Sequence, residues 1–260
     1  MDHYKAICLD LDGTVYRGTE PIPEAVSFIA SVQAQGVNPY FVTNNSAMTR
    51  LQLQEKLASF GIQTDTAHIM TSAVAVAKYC KSNYQDASVM MIGEKGLEEA
   101  LLSEGIVLTQ DNPDVVVMGI DREITYAKLA AACLAIRAGA HFIATNSDKA
   151  FPTEKGLVPG NGSFAKLMES ATGKVPIFVG KPESYMLGFI QQENGYRKEE
   201  MIMVGDNYDT DIQAGIRFGI DTLHVAGGVT SKEDLLLKEQ QPTYHFQTLL
   251  EWNIINHAKA

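Results

Sequence analysis

Short apolar runs recur along the chain, and most of them are followed by a turn and then by an amphipathic stretch. Predicted strands occupy residues 6–9, 39–43, 88–92, 115–119, 141–144, 201–204 and 222–225. Amphipathic stretches with helical spacing fall at 24–35, 50–60, 97–103, 126–138, 164–171, 185–193, 209–218 and 232–237. Strands that are apolar throughout are typical of a parallel sheet that helices cover on both faces. The alternation therefore predicts an α/β, doubly wound fold.

Any second domain must be an insertion, because no long linker or low-complexity tract separates two halves of the chain. Two places look like crossings between domains: 71–77, which follows a short apolar run, and 179–182, where glycine and proline favour a hinge. The segment between them has a strand-helix pattern of its own. We therefore expect a core domain of residues 1–76 and 180–260 that carries an inserted α/β domain of residues 77–179.

Two carboxylates follow the first predicted strand. Asp10 and Asp12 are two positions apart, so both leave the strand end on one side, and a Gly-Thr turn comes next. Nearby carboxylates repel each other, and they coexist readily when a cation lies between them or when one is protonated. The alternative is structural, with Asp12 as the N-cap of the following segment. The pair favours a functional site more than a structural turn.

Residues 43–46, Thr-Asn-Asn-Ser, follow the second predicted strand. Their hydroxyl and amide groups, with backbone N–H groups at a helix start, form a cradle of the size of a phosphate. The alternative is that Asn45 or Ser46 is simply a helix cap. Polar groups beyond the carboxyl ends of strands are the expected place for a site in a doubly wound fold.

The last two polar clusters lie in the C-terminal third of the chain. Residues 180–183, Gly-Lys-Pro-Glu, hold Lys181 between a glycine and a proline, where the alternative is a solvated surface lysine. Residues 205–211, Gly-Asp-Asn-Tyr-Asp-Thr-Asp, follow a strand and contain three carboxylates. Asp209 has the alternative role of a cap, which does not account for Asp206 and Asp211.

Together the four clusters suit the transfer of a phosphoryl group. The carboxylate oxygens of Asp10, Asp12 and Asp206 match a hard cation such as Mg²⁺, which keeps waters and shares a phosphate oxygen. Lys181 and the donors of residues 43–44 would balance the remaining phosphoryl charge. One carboxylate can attack phosphorus while its neighbour moves the proton. Such chemistry depends on positioning and charge neutralisation above all.

Composition narrows the partners. A net charge of −10, with no run of lysines and arginines, argues against a nucleic-acid surface. Cys8, Cys80 and Cys133 are widely spaced in apolar surroundings, which indicates reduced core thiols. No signal peptide or membrane-spanning stretch is recognisable, so we expect a cytoplasmic protein with no membrane association. The sequence leaves the oligomeric state open, a homo-oligomer included.

The ordered motifs Asp-Leu-Asp-Gly-Thr, Thr-Asn-Asn-Ser, Gly-Lys-Pro and Gly-Asp-Asn-Tyr-Asp-Thr-Asp resemble those of the haloacid dehalogenase superfamily of phosphatases. Their spacing is similar to the NagD-like branch, in which the large insertion lies between the second and third motifs. Residues 119–126, 144–148 and 159–163 also resemble cap segments of that branch. The resemblance runs the whole length and implies a Rossmann-like core with an α/β cap of type II.

The resemblance also implies a role for each motif residue. Asp10 would be the nucleophile that forms an aspartyl-phosphate, and Asp12 the acid/base that protonates the leaving alcohol and later activates water. The implied magnesium site consists of Asp10, the backbone carbonyl of Asp12 and Asp206, with Asp211 acting from behind or through water. The implied phosphoryl-binding residues are Thr43, Asn44 and Lys181. The dehalogenases of the family lack the equivalent of Asp12, so that reaction is disfavoured here.

The inserted domain must explain specificity. Asn146, Asp148 and residues 121–122 are candidate substrate contacts because they follow predicted strands, and the alternative is that they cap and connect loops. The leading hypothesis is a magnesium-dependent phosphatase of small phosphorylated metabolites, either sugar phosphates or nucleoside monophosphates. A phosphomutase on the same core and a phospho-acceptor signalling domain are the alternatives.

Overall fold

The apolar runs form the strands of two parallel sheets, as the sequence pattern predicts. The computed structural model describes residues 4–153 and 155–252. The strands are β1 (Ala6–Leu9), β2 (Tyr16–Arg17), β3 (Glu20–Pro21), β4 (Tyr40–Thr43), β5 (Ile69–Thr71), β6 (Ser88–Ile92), β7 (Val107–Leu108), β8 (Val115–Met118), β9 (His141–Ala144), β10 (Ala150–Thr153), β11 (Gly156–Pro159), β12 (Ile177–Phe178), β13 (Met201–Gly205), β14 (Asp221–Val225) and β15 (Tyr244–Phe246).

Helices alternate with these strands. The α-helices are α1 (Pro23–Ala34), α2 (Arg50–Ser59), α3 (Ser72–Asn83), α4 (Lys95–Ser103), α5 (Tyr126–Ala138), α6 (Asn161–Thr172), α7 (Tyr185–Asn194), α8 (Gln213–Phe218) and α9 (Lys232–Leu236). Short 3₁₀ turns lie at Thr66–His68, Lys198–Glu200 and Leu249–Trp252, and a π-helical turn lies at Tyr208–Ile212. The fold class is α/β, as predicted.

The chain divides into two units. The first contains the chain up to Thr43, Leu53–Met70 and the chain from Lys181 onward, and the second contains Asn44–Gln52 and Thr71–Gly180. The predicted boundaries of an insertion at 77–179 stay a prediction.

The sheet of the first unit has the strand order β15-β14-β13-β1-β4-β5. β1 pairs in parallel with β13 on one side and with β4 on the other. Every residue of β1 is buried, which accounts for its apolar sequence. Because the chain builds outward from β1 in both directions, the carboxyl ends of β1 and β13 flank a topological switch point, where α/β folds place their sites.

The sheet of the second unit has the order β12-β9-β8-β6-β7, and its pairings are parallel. Its core includes Met90, Val116 and Phe142 on the strands, packed with Ile136 of α5 and Met168 of α6. β10 and β11 form an antiparallel hairpin within the same unit. This unit is therefore a second α/β layer structure with a core of its own.

Several elements differ from the prediction for tertiary reasons. Helix α3 begins within the segment 71–77, where the Thr71 hydroxyl caps it by accepting from the Val74 N–H, and the crossing expected there stays a prediction. The helix predicted at 209–218 is a π-helical turn followed by α8, and its cap is Asn207 rather than Asp209. The sequence pattern also missed the β2–β3 hairpin, whose two-residue strands are too short to show a period.

The predicted free thiols are confirmed: Cys8 and Cys80 are buried, and Cys133 is half-buried. Within residues 4–153 and 155–252, no helix combines the length and apolarity that crossing a bilayer requires. The expected cytoplasmic location stays a prediction. The N-terminal residues 1–3, on which part of that expectation depends, lie outside the described residues.

Candidate active site

The paired ends of β1 and β13 bring the first and last polar clusters together. Leu9 is in register with Val204, and the backbone N–H of Asp10 donates to the Val204 carbonyl at 2.9 Å. Asp10 and Asp206 are therefore the first acidic residues beyond two adjacent strand ends. This arrangement agrees with the placement that the sequence pattern predicts for polar clusters.

Three buried carboxylates meet at this edge of the sheet. Asp10, Asp206 and Asp211 are 7%, 1% and 1% exposed, and each offers an oxygen within 4.8 Å of the other two. Carboxylates that are so close together and so deeply buried repel one another strongly unless a cation or a proton compensates their negative charge. Their donor set consists of hard oxygens, which suits Mg²⁺ or a similar cation.

Lys181 lies among these carboxylates and is itself buried. Its Nζ is 2.5 Å from Asp10 Oδ1 and 2.8 Å from Asp211 Oδ1, and it also donates to the Val42 carbonyl at 2.9 Å. The alternative of a solvated surface lysine is therefore wrong. With all three carboxylates ionised, one ammonium leaves an excess of two negative charges, which one divalent cation would neutralise.

The pKa values of these groups reflect burial and mutual repulsion. Burial raises the pKa of Asp10 well above its ordinary value, the Asp211 charge raises it further, and Lys181 opposes both. Burial and the Asp211 charge raise the pKa of Asp206 from 3.8 to about 6. Burial alone would lower the pKa of Lys181, but the carboxylates of Asp10 and Asp211 raise it above its ordinary value. Burial and mutual repulsion therefore favour the protonated forms of Asp10 and Asp206.

Asp206 is held by the backbone around it. Its carboxylate accepts from the Val229 N–H at 2.7 Å and from the Thr14 hydroxyl at 3.3 Å. A Cβ on Gly228 would lie 1.8 Å from Asp206 Oδ2, and a Cβ on Gly13, whose φ is +95°, would lie 2.4 Å from the same atom. Glycine at these two positions therefore lets the backbone close around the carboxylate.

Asp211 is positioned by the π-helical turn that follows β13. Its Oδ2 accepts from the Asn207 N–H at 3.1 Å, and the Thr210 hydroxyl donates to its Oδ1 at 3.1 Å. A Cβ on Gly205 would approach Asp211 Oδ2 to 2.2 Å. Asp209, by contrast, points outward and pairs with Lys238 at 2.7 Å. The turn therefore separates the inward-facing Asp211 from the surface-facing Asp209.

Asp12 lies outside the carboxylate triad, and its side chain is exposed. Its Oδ2 accepts from the hydroxyl of Tyr16 at 3.4 Å. Although the residue is exposed, neighbouring atoms shield its carboxyl from part of the solvent, and this partial burial raises the pKa of Asp12, while the Lys56 ammonium and the Tyr16 hydroxyl oppose the rise. Asp10 and Asp12 therefore occupy different environments, although they are two residues apart.

The sequence pattern predicts that a helix follows the second cluster directly, but in the structure the cluster does not begin a helix. Asn45 Oδ1 accepts from the N–H groups of Ala47 and Met48 at 2.9 Å, which closes a local turn. Helix α2 begins at Arg50, where the side chains of Thr49 and Gln52 cap one another's backbone N–H groups. The expectation that Asn45 or Ser46 could be the helix cap is therefore wrong. Thr43, the last residue of β4, is buried.

Three of the predicted substrate-binding residues hydrogen-bond to one another within the second unit. The side-chain amide of Asn44 donates to both oxygens of Asp148, at 3.2 and 3.1 Å. The amide of Asn146 donates to the Asn44 carbonyl at 2.9 Å, and its Oδ1 accepts from the Asp148 N–H at 3.2 Å. Asn44, Asn146 and Asp148 therefore form one hydrogen-bond network. The sequence could not predict it, because Asn44 lies about a hundred residues from the other two.

The candidates at 121–122 make ion pairs. Asp121 pairs with Lys128 at 2.7 Å, and Arg122 pairs with Glu94 at 2.5 Å. Sequence reasoning gave no role to Asn161, which is buried and whose amide donates to the carbonyls of Met118 and Asn146. The position of Asn161 after a glycine, at the start of a helix, is the sequence signal that could have pointed to it.

Family models match both ends of the chain. Residues 7–107 match the model described as haloacid dehalogenase-like hydrolase, and residues 178–252 match a second model described as HAD-hydrolase-like. The first match contains Asp10 and Asp12, and the second contains Lys181, Asp206 and Asp211. Together, the two matches therefore cover the residues that meet at the edge of the first sheet.

Full-length relatives carry phosphatase names. The chain is 46% identical over 252 residues to the 5′-nucleotidase YutF of Bacillus subtilis, covering 97% of this chain and 98% of the relative. It is 44% identical over 252 residues to the acid sugar phosphatase of Staphylococcus aureus, covering 96% of this chain and 97% of the relative.

Solved structures agree. A thermostable NPPase double mutant from Geobacillus stearothermophilus superposes with a TM-score of 0.91 at 46% identity, covering 96% of this chain and 98% of that one. The 4-nitrophenylphosphatase of Thermotoga maritima gives a TM-score of 0.91 at 32% identity, with coverages of 99% and 97%. These matches and the carboxylate site lead to one conclusion: the chain belongs to the haloacid dehalogenase-like hydrolases, and it is an enzyme of their phosphatase class.

Proposed function

We propose that the protein is a Mg²⁺-dependent phosphatase that hydrolyses small phosphomonoesters, sugar phosphates or nucleoside monophosphates, through a phospho-aspartyl intermediate on Asp10. The observation that carries the proposal is the buried triad of Asp10, Asp206 and Asp211 with Lys181 among them. Names of relatives as a 5′-nucleotidase and as acid sugar phosphatases support both substrate classes.

The donors fit Mg²⁺ on chemical grounds. Asp10 and Asp206 would bind it with carboxylate oxygens, together with the backbone carbonyl of Asp12, and Asp211 would act from behind or through water. When bound, the ion neutralises the carboxylates and withdraws charge from the phosphoryl oxygens. The excess of two negative charges around Lys181 supports a divalent rather than a monovalent ion.

The first chemical step forms the intermediate. A carboxylate oxygen of Asp10 attacks phosphorus, the bond from phosphorus to the leaving oxygen breaks, and Asp12 donates its proton to that oxygen. In the second step, Asp12 takes a proton from water, the water oxygen bonds to phosphorus, and Asp10 leaves as a carboxylate. The exposed position of Asp12, outside the triad, supports a group that exchanges protons with substrate and water.

The phosphoryl oxygens need donors as well as a cation. Lys181 would supply positive charge, because its three N–H groups already face Asp10, Asp211 and the Val42 carbonyl. Thr43 would supply a hydroxyl at the end of β4. A phosphoryl contact from Asn44, whose side-chain amide donates to Asp148, stays a prediction. Direct substrate contacts from Asn146 and Asp148 stay a prediction.

The test is a phosphate-release screen of sugar phosphates and nucleoside monophosphates, with Mg²⁺ and with a chelator. We expect turnover that requires the metal, and we expect Asp10→Asn to lose more than about 10³-fold in kcat while it stays folded. Asp209→Asn is the matched control, since Asp209 lies in the same acidic loop as Asp206 but faces solvent.

Asp10→Asn that retained activity comparable with the wild type would remove the nucleophile assignment. Release of an isomerised sugar phosphate in place of free phosphate would indicate a phosphomutase. Long survival of a phospho-aspartate in water would indicate a phospho-acceptor domain.

A further inference from the structure

Asp12 has a neighbour that the steps above do not use. Tyr16 is 1% exposed, yet its hydroxyl reaches Asp12 Oδ2 at 3.4 Å. Among the described residues, Tyr16 is the side chain that donates to Asp12. Hydrogen bonds to catalytic groups are often long before substrate binds, and they shorten in the reacting complex. The contact therefore links a buried side chain to the carboxyl that is proposed to move the proton.

Backbone hydrogen bonds hold the segment that carries Asp12 and Tyr16. The Gly13 N–H donates to the Tyr16 carbonyl at 2.8 Å, and the Tyr16 N–H donates to the Leu11 carbonyl at 3.2 Å. Tyr16 begins β2, which pairs with β3 through Tyr16 and Pro21. The tight turn from residue 11 to residue 16 thus holds the Tyr16 side chain at a set distance from Asp12.

Two side chains hold the Tyr16 ring. Lys56 of α2 places its Nζ 3.7 Å from the centroid of the ring, and the ring of Phe60 lies 5.6 Å away, centroid to centroid. An ammonium over an aromatic face is attracted by the negative face of the ring. Lys56 therefore acts on Asp12 through the Tyr16 ring.

Tyr16 remains a donor throughout. A neutral phenol carries the proton of this pair, and an ionised carboxylate can only accept, so the hydroxyl donates. A hydroxyl that donates to one oxygen of Asp12 leaves the other oxygen to carry and deliver the catalytic proton. It also fixes which oxygen faces the substrate.

We propose that Tyr16 and Lys56 are positioning residues for the acid/base Asp12: the ammonium holds the ring, and the hydroxyl orients the carboxyl toward the leaving oxygen. This inference rests on the proposed function, because it needs Asp12 as the proton donor. It adds two residues outside the motifs that carry the family resemblance. A positioned general acid matters most when the leaving group is poor, because a good leaving group departs without a proton.

The experiment compares kcat/KM for p-nitrophenyl phosphate, whose leaving group is good, with kcat/KM for a sugar phosphate whose leaving group is an alcohol. We expect Tyr16→Phe to lower the second value about 10-fold or more and the first less than about 3-fold. Lys56→Met should show the same selective loss, and Lys56→Arg, which keeps the charge over the ring, should recover most of it.

Tyr40→Phe is the matched control, since Tyr40 is also buried and its hydroxyl bonds to that of Tyr196 at 3.1 Å. It should leave both kcat/KM values unchanged. A general loss of folding would lower both substrates together, so the ratio between them isolates positioning from stability.

Equal losses for both substrates in Tyr16→Phe, or none for either, would overturn the inference, provided that Asp12→Asn itself loses the sugar phosphate selectively. Asp12→Asn without that selectivity would overturn the acid/base assignment in the proposed function and this inference with it. The two failures are therefore distinguishable by one additional variant.

Discussion

At the scale of single residues, the ammonium of Lys181 partly neutralises the carboxylates of the site. It is 2% exposed and pairs with two carboxylates that are also buried, those of Asp10 and Asp211. A buried ion pair adds little net stability over an apolar alternative, but removal of one partner leaves a buried charge without compensation. The lysine is therefore needed for the fold of the site as well as for its proposed chemistry.

Lys181→Met should lower the free energy of unfolding by about 3–5 kcal/mol near neutral pH without added metal, because three carboxylates then lose their buried cation. Urea unfolding measures the change, and phosphatase activity should be lost. Lys5→Met is the control: Lys5 pairs with Glu200 at 2.8 Å but is 63% exposed, so the expected change is below about 1 kcal/mol. Equal effects from the two variants would contradict the assignment of Lys181 to a dry cluster.

At the scale of elements, strand ends supply the carboxylates and glycine turns close around them. The loop after β14 approaches Asp206 so closely that Gly228 has no room for a Cβ. The Val229 N–H from the same loop donates to the Asp206 carboxylate. The loop therefore orients a proposed metal ligand from outside its own strand.

Gly228→Ala should push the Asp206 carboxylate from its place and weaken metal binding about 10-fold or more, the loss typical of a disturbed outer-shell contact. Mn²⁺ binding followed by electron paramagnetic resonance measures this without reference to activity. Gly188→Ala is the control. A Cβ at this position would lie 3.7 Å from the Phe218 ring, an ordinary contact, and alanine is favoured over glycine inside a helix such as α7. Unchanged Mn²⁺ affinity in Gly228→Ala would show that the loop does not orient the ligand.

The sequence predicted those parts of the site that depend on local rules. Asp10 and Asp206 follow apolar strands, and parallel strands bring their carboxyl ends to one edge, so the meeting of the two clusters was predictable. Helix α5 and strand β6 have the predicted bounds: α5 lies between the capping hydroxyl of Thr125 and the left-handed Gly139, and β6 is a short apolar run.

What depends on tertiary contacts was not predictable. The π-helical turn turns Asp211 inward and Asp209 outward, although both stand in the same acidic run. The donation from Asn44 to Asp148 joins residues that are far apart in sequence. Lys56 reads as one polar position of an amphipathic helix, and nothing near it in the sequence points to the Tyr16 ring.

At the scale of the whole molecule, the site adds repulsion to a chain that is already acidic, with a net charge of −10. A carboxyl whose pKa rises on folding, as that of Asp206 does to about 6, favours the folded state in its protonated form. Between about pH 4 and pH 6, the folded state then binds more protons than the unfolded state. This group therefore lowers the free energy of unfolding as the pH rises through that interval.

Without metal, Asp206→Asn should be more stable than the wild type at about pH 8, by up to about 3 kcal/mol, and the difference should vanish at about pH 4. Urea unfolding at several pH values with a chelator measures it. Added Mg²⁺ should raise the melting temperature of the wild type at the higher pH and leave Asp206→Asn nearly unchanged. A variant that is less stable than the wild type at about pH 8 without metal would contradict the repulsion argument.

The central claim is that Asp10 carries the phosphoryl group during turnover. Asp12→Asn should still form the intermediate with p-nitrophenyl phosphate, whose leaving group needs no proton, and should hydrolyse it slowly. The direct measurement is to quench this variant during turnover, reduce the acyl phosphate with borohydride and identify the modified residue by mass spectrometry of peptides. The account predicts homoserine at position 10; a phosphoryl group at any other residue, or turnover with no modified residue, would contradict it.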